Sequence, residues 1–590
     1  MPPDIRNRVT SKKAVFSSVK VVVGVSEQNS PESKVNKEKY LASAIKKIYG
    51  DDDDFIVLGL TGRTGSGCST IADILQSDKQ NINHGLYDGG SPATNQDRKD
   101  RIIRRFFNSE WQPFLLLQVR SIITTFLLDE ESFSNKDFFY HLLEGVGENR
   151  KERFLSLLGD LKEEYHKANK GEICYVSFYT EMLPLRCQEI KEILGESSFV
   201  RLYQAIGKNI RLSGVACEDQ LEEGKFFTLA ERVNSVIKRI HDKQQAKSEK
   251  TLVVVDAIRN PLEALFFQDR YSSFYLVAVS APENDRASRL RAQGYSDSDI
   301  KSIDDNEYTS RDIDKAEYFS VQDIQGCLQR ADIYISNPNS ESRVDEFKGL
   351  ASQVIRFVSL IQRPGLVTPS AIERCMQVAY TAKLNSGCIS RQVGAVVTDQ
   401  NYSIRSVGWN DVPHGQTPCN LRSRDDLLDG VDDESYSYFE KNNEEYIKYF
   451  KESSKAYNGL EEKWRNKSFC FKSEYNAYSK KDNQVHTRSL HAEENAFLQV
   501  SKYGLSALEG GYLFSTASPC ELCSKKAYQL GISKIFYIDP YPGIAVTHVL
   551  RGGVKNPDLI LFSGAIGRAF HKLYSPVVPY KDELNALASS

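Results

Sequence analysis

Short apolar runs bounded by charge or glycine punctuate the first 360 positions, and they set the first expectation. Phe55-Ile56-Val57-Leu58-Gly59-Leu60 follows the acidic run Asp51 to Asp54. Leu252-Val253-Val254-Val255 ends in Asp256, Phe274 to Val279 is a third run, and Ile333-Tyr334-Ile335 precedes Asn337. Uninterrupted apolar segments of this length read as strands buried on both faces. From about residue 100 to 250 the apolar positions instead recur at helical spacing among Lys, Arg and Glu. Strands alternating with helices predict a doubly wound, mainly parallel α/β sheet. The polar, basic stretch 1–50, with one apolar island at Val21 to Val25, predicts a tail carrying a leading strand or helix.

The pattern changes at Arg363-Pro364-Gly365-Leu366-Val367-Thr368-Pro369, where proline and glycine break both periodicities. Ser370 with Glu373 matches a capping box and predicts a helix through about Leu384. Val393–Val397, Tyr512–Ser515, Ile535–Ile538 and Leu559–Phe562 predict strands of a second sheet. Residues 421–485, charged and rich in tyrosine, predict an insertion. The expected organisation is a tail over 1–50, one domain over 51–360 and a second over 361–590.

At 590 residues the chain is too long for one compact core. Its 40% hydrophobic and 26% charged residues are those of an ordinary globular protein, which excludes a wholly disordered or collagen-like chain. With 76 Lys and Arg against 79 Asp and Glu, the formal charge is −3, so no global basic excess exists to grip a polynucleotide. No apolar run reaches the roughly 18 residues of a membrane span. The amino terminus lacks the apolar stretch of a secretory signal, and Lys581-Asp582-Glu583-Leu584 is followed by six more residues, so it does not read as a retention address. Eleven thinly spread cysteines do not suggest a disulfide framework. The expected compartment is the cytoplasm, with no membrane partner.

The strongest chemical signal is His491-Ala492-Glu493 followed by Ser518-Pro519-Cys520-Glu521-Leu522-Cys523. Cysteines three apart on a helical turn can aim both sulfurs at one point, and a helix N-terminus favours their thiolates. His491, Cys520 and Cys523 make a three-ligand zinc set that leaves the fourth tetrahedral position to water. Glu493 is then the acid and base that moves protons. A closed four-ligand zinc finger or a pair of buried thiols is the structural alternative, but His-x-Glu with Pro-Cys-x-x-Cys is the signature of the zinc deaminases.

From about Ser370 to Pro576 the chain resembles the deoxycytidylate deaminase branch of the cytidine deaminase superfamily. The resemblance is carried by Ser386-Gly387-Cys388, Arg391-Gln392-Val393-Gly394-Ala395, Asn410-Asp411-Val412-Pro413-His414-Gly415 and the two metal motifs. It implies a cytidine-deaminase-like α/β/α sandwich. It also implies substrate contacts from Arg391, Gln392, Asn410, Pro413, Gly415 and Ser518, and an aromatic, Tyr541, near the base. Some members carry a structural zinc, for which Cys388, Cys419, Cys470 and His486 are the candidates, with buried thiols as the alternative.

In the first domain, Gly62-Arg63-Thr64-Gly65-Ser66-Gly67-Cys68-Ser69-Thr70 fits the phosphate-binding loop pattern after a strand and before a helix. Backbone N–H groups at the helix start can cradle phosphate, Ser69 can reach magnesium, and Asp256 is the candidate acidic partner. The lysine of the motif is Cys68 here, which favours nucleotide sensing over phosphoryl transfer. Arg259, with Asn260-Pro261, resembles the acceptor-side loop of small nucleotide and dephospho-coenzyme A kinases, and Arg286, Arg289 and Arg291 suit either a basic lid or a solvated helix face.

The whole chain resembles the longer bacterial anti-phage dCTP deaminases, in which a P-loop, kinase-like domain precedes the deaminase; Phe562 to Arg568 resembles their C-terminal pattern. This implies zinc-dependent conversion of dCTP, and of dCMP, to the deoxyuridine nucleotide during phage attack. It implies a regulatory nucleotide at the P-loop, with magnesium, leaves room for a regulatory RNA, and implies a homo-oligomer, often a hexamer. The rival expectations are a polynucleotide cytosine or adenine deaminase and a P-loop signalling kinase with a non-catalytic deaminase domain.

Overall fold

The computed structural model describes residues 43, 44, 47, 54–307, 320–340, 342–459, 465–483, 485–504, 508–539 and 545–588. Val21 to Val25 and Tyr541 lie outside the described residues. Residues 49–577 form one compact unit, and the helix Tyr580–Ala588 belongs to another. Among the described residues no helix is long and apolar enough to cross a membrane.

The apolar runs of the first half become β1 (Phe55–Gly62), β3 (Thr251–Asp256), β4 (Phe274–Ser280) and β5 (Ile333–Ser336). A further strand, β2 (Leu115–Gln118), sits inside the stretch expected to be helical. Its four residues are too few to show a period beside the helix that follows, Val119–Leu127. Alternation decides where each side chain goes. Ile56, Leu58 and Leu60 of β1, with Leu252 and Val254 of β3, enter one core, and Val57, Val253 and Val255 enter the core on the opposite face. Both faces are therefore covered, as a parallel sheet requires.

The second sheet contains β6 (Gly394–Thr398), β7 (Ile404–Trp409), β8 (Tyr512–Ala517), β9 (Lys534–Asp539) and β10 (Asp558–Leu561), in the order β10-β9-β8-β6-β7. Strand β7 is the one the apolar pattern did not signal, because its residues alternate between exposed and buried at an edge. Strands β6 and β8 are antiparallel, whereas β8, β9 and β10 run parallel. Val396 and Phe514 face the helix Ala371–Ala382 side, and Ala395, Val397 and Leu513 face the side of the helices Ala492–Lys502 and Glu521–Gln529. This is an α/β/α arrangement. The Ser370–Glu373 capping box is present, and the helix stops at Ala382 in a short 3₁₀ turn over Lys383–Asn385 rather than running to Leu384.

The two sheets are knitted together. A two-residue strand, β11 (Gly564–Ala565), pairs antiparallel with β5, giving a six-stranded sheet ordered β11-β5-β4-β1-β3-β2. The helix Gly567–Tyr574 then adds Ala569 and Leu573 to the same core as Ile56 and Leu58. Glu373 accepts from Arg356 Nη2 at 2.6 Å, from the Ser370 N–H at 2.9 Å, from the Ala565 N–H at 3.1 Å and from the Tyr574 hydroxyl. One buried carboxylate thus ties the connector, the Arg343–Gln362 helix and the returning chain.

Candidate active site

His491 and Cys520 each occupy the residue just before a helix, Ala492–Lys502 and Glu521–Gln529 respectively. Both positive helix ends are therefore aimed at one point. The ligand-capable atoms of His491, Cys520 and Cys523 all lie within 4.8 Å of one another. His491 Nδ1 is 3.2 Å from Cys520 Sγ and 3.5 Å from Cys523 Sγ. Bonds of 2.0–2.1 Å to nitrogen and about 2.3 Å to sulfur put such donors roughly 3.6 Å apart around a tetrahedral zinc. The residues fit that ion. The Cys520 thiol is pulled down to about 3, first by a hydrogen bond from Cys523 and further by the His491 ring, while that same pairing and burial push Cys523 up.

Close packing fixes the helix that carries His491 and Glu493. A Cβ at Gly408 on β7 would stand 2.3 Å from the Ala492 carbonyl oxygen and 2.4 Å from the Ala496 nitrogen, so only glycine lets strand and helix meet there. Glu493, two residues into this helix, is buried and accepts from Ser515 Oγ on β8 at 2.8 Å. Burial pushes its carboxyl upward.

His491, Glu493 and Cys520 open into a cavity of about 170 Å³, lined also by Arg391, Asn410 and Ser518. The Asn410 side chain bridges its own wall: Oδ1 accepts from the Val393 N–H at 2.6 Å and Nδ2 donates to the Arg391 carbonyl at 2.6 Å. Ser518 donates its N–H to the Asp539 carbonyl at 2.9 Å, which anchors the approach to Cys520. Gln392 is exposed and donates to the Ser386 carbonyl, and Pro413 and Gly415 lie on a turn outside the lining residues.

Cys388, Cys419 and Cys470 line the same cavity, but His486 does not; its ring packs on Tyr475 with centroids 4.5 Å apart. Among the described residues, only His491, Cys520 and Cys523 meet as a group of three or more potential ligands.

The stretch expected to be an insertion also supplies part of the cavity wall, through Cys470, Phe471 and Lys472. Its helices enclose a small aromatic core of Tyr436, Tyr446, Phe450 and Phe469. The buried pairs Arg422–Glu440 and Arg424–Glu474 hold it, and Phe471 and Lys472 reach the cavity beside Arg488. Composition showed the charge and tyrosine of this segment but carried no signal for its placement. Ser515 and Asp539 were missed for the same reason: each acts through a partner distant in sequence.

In the first sheet, Gly65 and Gly67 adopt φ of 86° and 110°, a left-handed region open to glycine, and so turn the chain from β1 into the helix Cys68–Gln76. A cavity of about 800 Å³ borders this turn. It is lined by Arg63, Thr64, Gly65, Gly67, Cys68, Ser69, Thr70 and Asp256, whereas Gly62 and Ser66 lie behind it. Ser69 Oγ stands 3.5 Å from Asp256 Oδ2, and burial raises the Asp256 carboxyl. Burial, then Asp256, pushes the Cys68 thiol up to about 12, so it is a neutral group where the motif has a lysine. Of the three arginines read as a lid, Arg286 is fully buried, Arg289 donates to the Asn337 carbonyl, and Arg291 pairs with Asp297 at the surface.

Residues 369–539 match the family model of the cytidine and deoxycytidylate deaminase zinc-binding region. The deoxycytidylate deaminase of Enterobacteria phage T4 is 29% identical over 171 residues, 28% of this chain and 76% of that protein. That of phage T2 is 27% identical over 176 residues, 28% of this chain and 78% of that protein. Among solved structures, the dCMP deaminase of cyanophage S-TIM5, crystallised with dCMP and dUMP, shares 22% identity. It covers 33% of this chain and 99% of its own, with a TM-score of 0.20. The second half of this chain carries a deaminase-type zinc-binding domain. That family is one of hydrolytic deaminases.

Proposed function

We propose that this protein is a zinc-dependent hydrolase that deaminates free deoxycytidine nucleotides, dCMP and dCTP, to the corresponding deoxyuridine nucleotides. The observation that carries this reading is the meeting of His491, Cys520 and Cys523 within 4.8 Å, with buried Glu493 lining the same cavity. It is supported by the likeness to phage deoxycytidylate deaminases. His491 Nδ1 and the two thiolates would hold the zinc, which when bound makes water nucleophilic near neutral pH.

The chain's own groups then manage protons. Glu493 takes one from the attacking water, delivers it to the ring nitrogen next to C4, and passes the second to the departing amine as C4 becomes a carbonyl; ammonia leaves. Ser515 keeps the Glu493 carboxylate oriented through this cycle. Lys472 and Arg488, which line the cavity, supply positive charge for the substrate phosphate, and Arg391 holds the wall that Asn410 ties down.

The glycine turn of the first sheet is read as a nucleotide site that regulates the deaminase, with Ser69 and Asp256 serving magnesium. Depletion of dCTP as defence against phage, and assembly into a homo-oligomer, complete the proposal. The test is ammonia release from dCMP, dCTP and a cytosine-containing single strand, with the zinc content measured on the same preparation. Turnover of the free nucleotides at about one zinc per chain is expected. Turnover of the strand alone would overturn the substrate class.

A further inference from the structure

The glycine turn already holds an anion, and that anion belongs to the chain itself. Glu307 is fully buried, and its two carboxylate oxygens accept from the Thr64 N–H at 3.0 and 3.3 Å. Oε1 also accepts from Thr64 Oγ1 at 2.5 Å and from Arg259 Nη1 at 2.7 Å. A backbone N–H, a hydroxyl and a guanidinium converging on two oxygens form the donor set that a phosphate would meet at such a turn.

Glu307 lies on the helix Asp297–Glu307, and its carboxylate reaches the Thr64 N–H, 243 positions away in the sequence. The loop is what holds it. Neighbouring pairs hold the same helix against the turn: Arg63 reaches Asp304 at 2.7 Å, and buried Arg286 donates to Asp304 at 2.7 Å and to the Thr64 carbonyl at 3.1 Å. Beyond this closed cluster, Arg120, Arg289 and Arg343 line the cavity that borders the turn.

We propose that Glu307 is an internal phosphate mimic, which a polyphosphate ligand must displace from Thr64 and Arg259 in order to bind the glycine turn. The proposal rests on the reading of that turn as a phosphate site and adds its regulation. Two anions cannot share one set of donors without strong repulsion in a buried site. Arrival of the ligand therefore frees the Asp297–Glu307 helix, and that release is the signal the site transmits.

The test is calorimetric titration of the full-length protein with ATP and with inorganic tripolyphosphate, comparing wild type and Glu307→Gln. Removal of the internal charge is expected to tighten binding at least tenfold. Tighter binding of ATP than of tripolyphosphate assigns the ligand as a nucleotide, and equal binding assigns it as the phosphate chain alone. Hydrogen exchange on the wild type needs no variant: either ligand should protect residues 62–70 and accelerate exchange over 297–307. Binding that is unchanged or weaker in Glu307→Gln, or protection of both segments together, overturns the mimic and leaves the phosphate site standing. No binding and no protection in either form overturns both.

Discussion

In the proposed reaction, Glu493 is the single side chain that moves the protons. It is buried, it shares the helix whose entry carries His491, and its carboxylate accepts from the Ser515 hydroxyl. Glu493→Gln keeps the shape and the hydrogen bond but cannot carry a proton. It is expected to lower kcat by about 10²–10⁴-fold, the usual range for losing a positioned acid and base, with zinc content and KM for dCMP nearly unchanged. Cys523→Ala should behave differently: the two remaining donors no longer close the site, so zinc measured by atomic absorption should fall together with activity. Both residues were legible from spacing alone, because two cysteines one turn apart and a histidine two before a glutamate are local patterns. Ser515 was not, since a serine in a strand has no such pattern and gains its role only where β8 passes the helix.

At the scale of elements, the junction at the end of β9 connects the two halves of the molecule to the cavity wall. Asp539 is buried; it accepts from Gln329 at 2.9 Å and from Gln325 at 3.2 Å, both on the helix Ile324–Arg330, and from Arg391 of the cavity wall. Its carbonyl meanwhile holds the Ser518 N–H, two residues before Cys520. Asp539→Ala removes the buried carboxylate that Arg391, Gln325 and Gln329 share. It should cost about 3 kcal/mol in chemical denaturation. Because Arg391 lines the cavity, KM for dCMP should also rise more than kcat falls, which a purely structural loss would not produce. The strands on either side were readable as apolar runs; the aspartate at the end of one of them was not, because nothing in the sequence relates position 539 to positions 325, 329 and 391.

For the whole molecule, residues 49–577 are one compact unit in which the chain leaves the first sheet at β5, builds the second sheet, and returns as β11 and the helix Gly567–Tyr574. Glu373 is the pin of this arrangement. Burial opposes its charge, but Arg356, followed by the Tyr574 and Ser370 hydrogen bonds, holds its carboxyl below the ordinary carboxylate range. A carboxyl depressed in the folded state contributes stability that is complete above the unfolded value, about 4.3, and is lost as pH falls through the folded value. Glu373→Gln should therefore lower stability by about 3 kcal/mol at pH 7. The difference from wild type should shrink as denaturation is repeated at pH values descending below about 4. A gap that stays constant over that range would mean the loss is one of packing rather than charge.

The division between the two levels of information follows from range. Whatever depends on neighbours within a turn or a strand was set by the sequence by itself: β1, β3, β4 and β5 through their uninterrupted apolar runs, the helix start at Ser370 through its capping box, the left-handed glycines of the first turn, and the Cys520–Cys523 pair one helical turn apart. Whatever depends on contacts across tens or hundreds of positions was decided only in three dimensions. The edge strand β7, the wall contributed by residues 470–472, the Glu307 carboxylate on the Thr64 N–H and the return of β11 to β5 belong to that second group. Each is a hydrogen bond or packing contact whose partners share no local period, so their energy exists only once the sheets have brought the chain back upon itself.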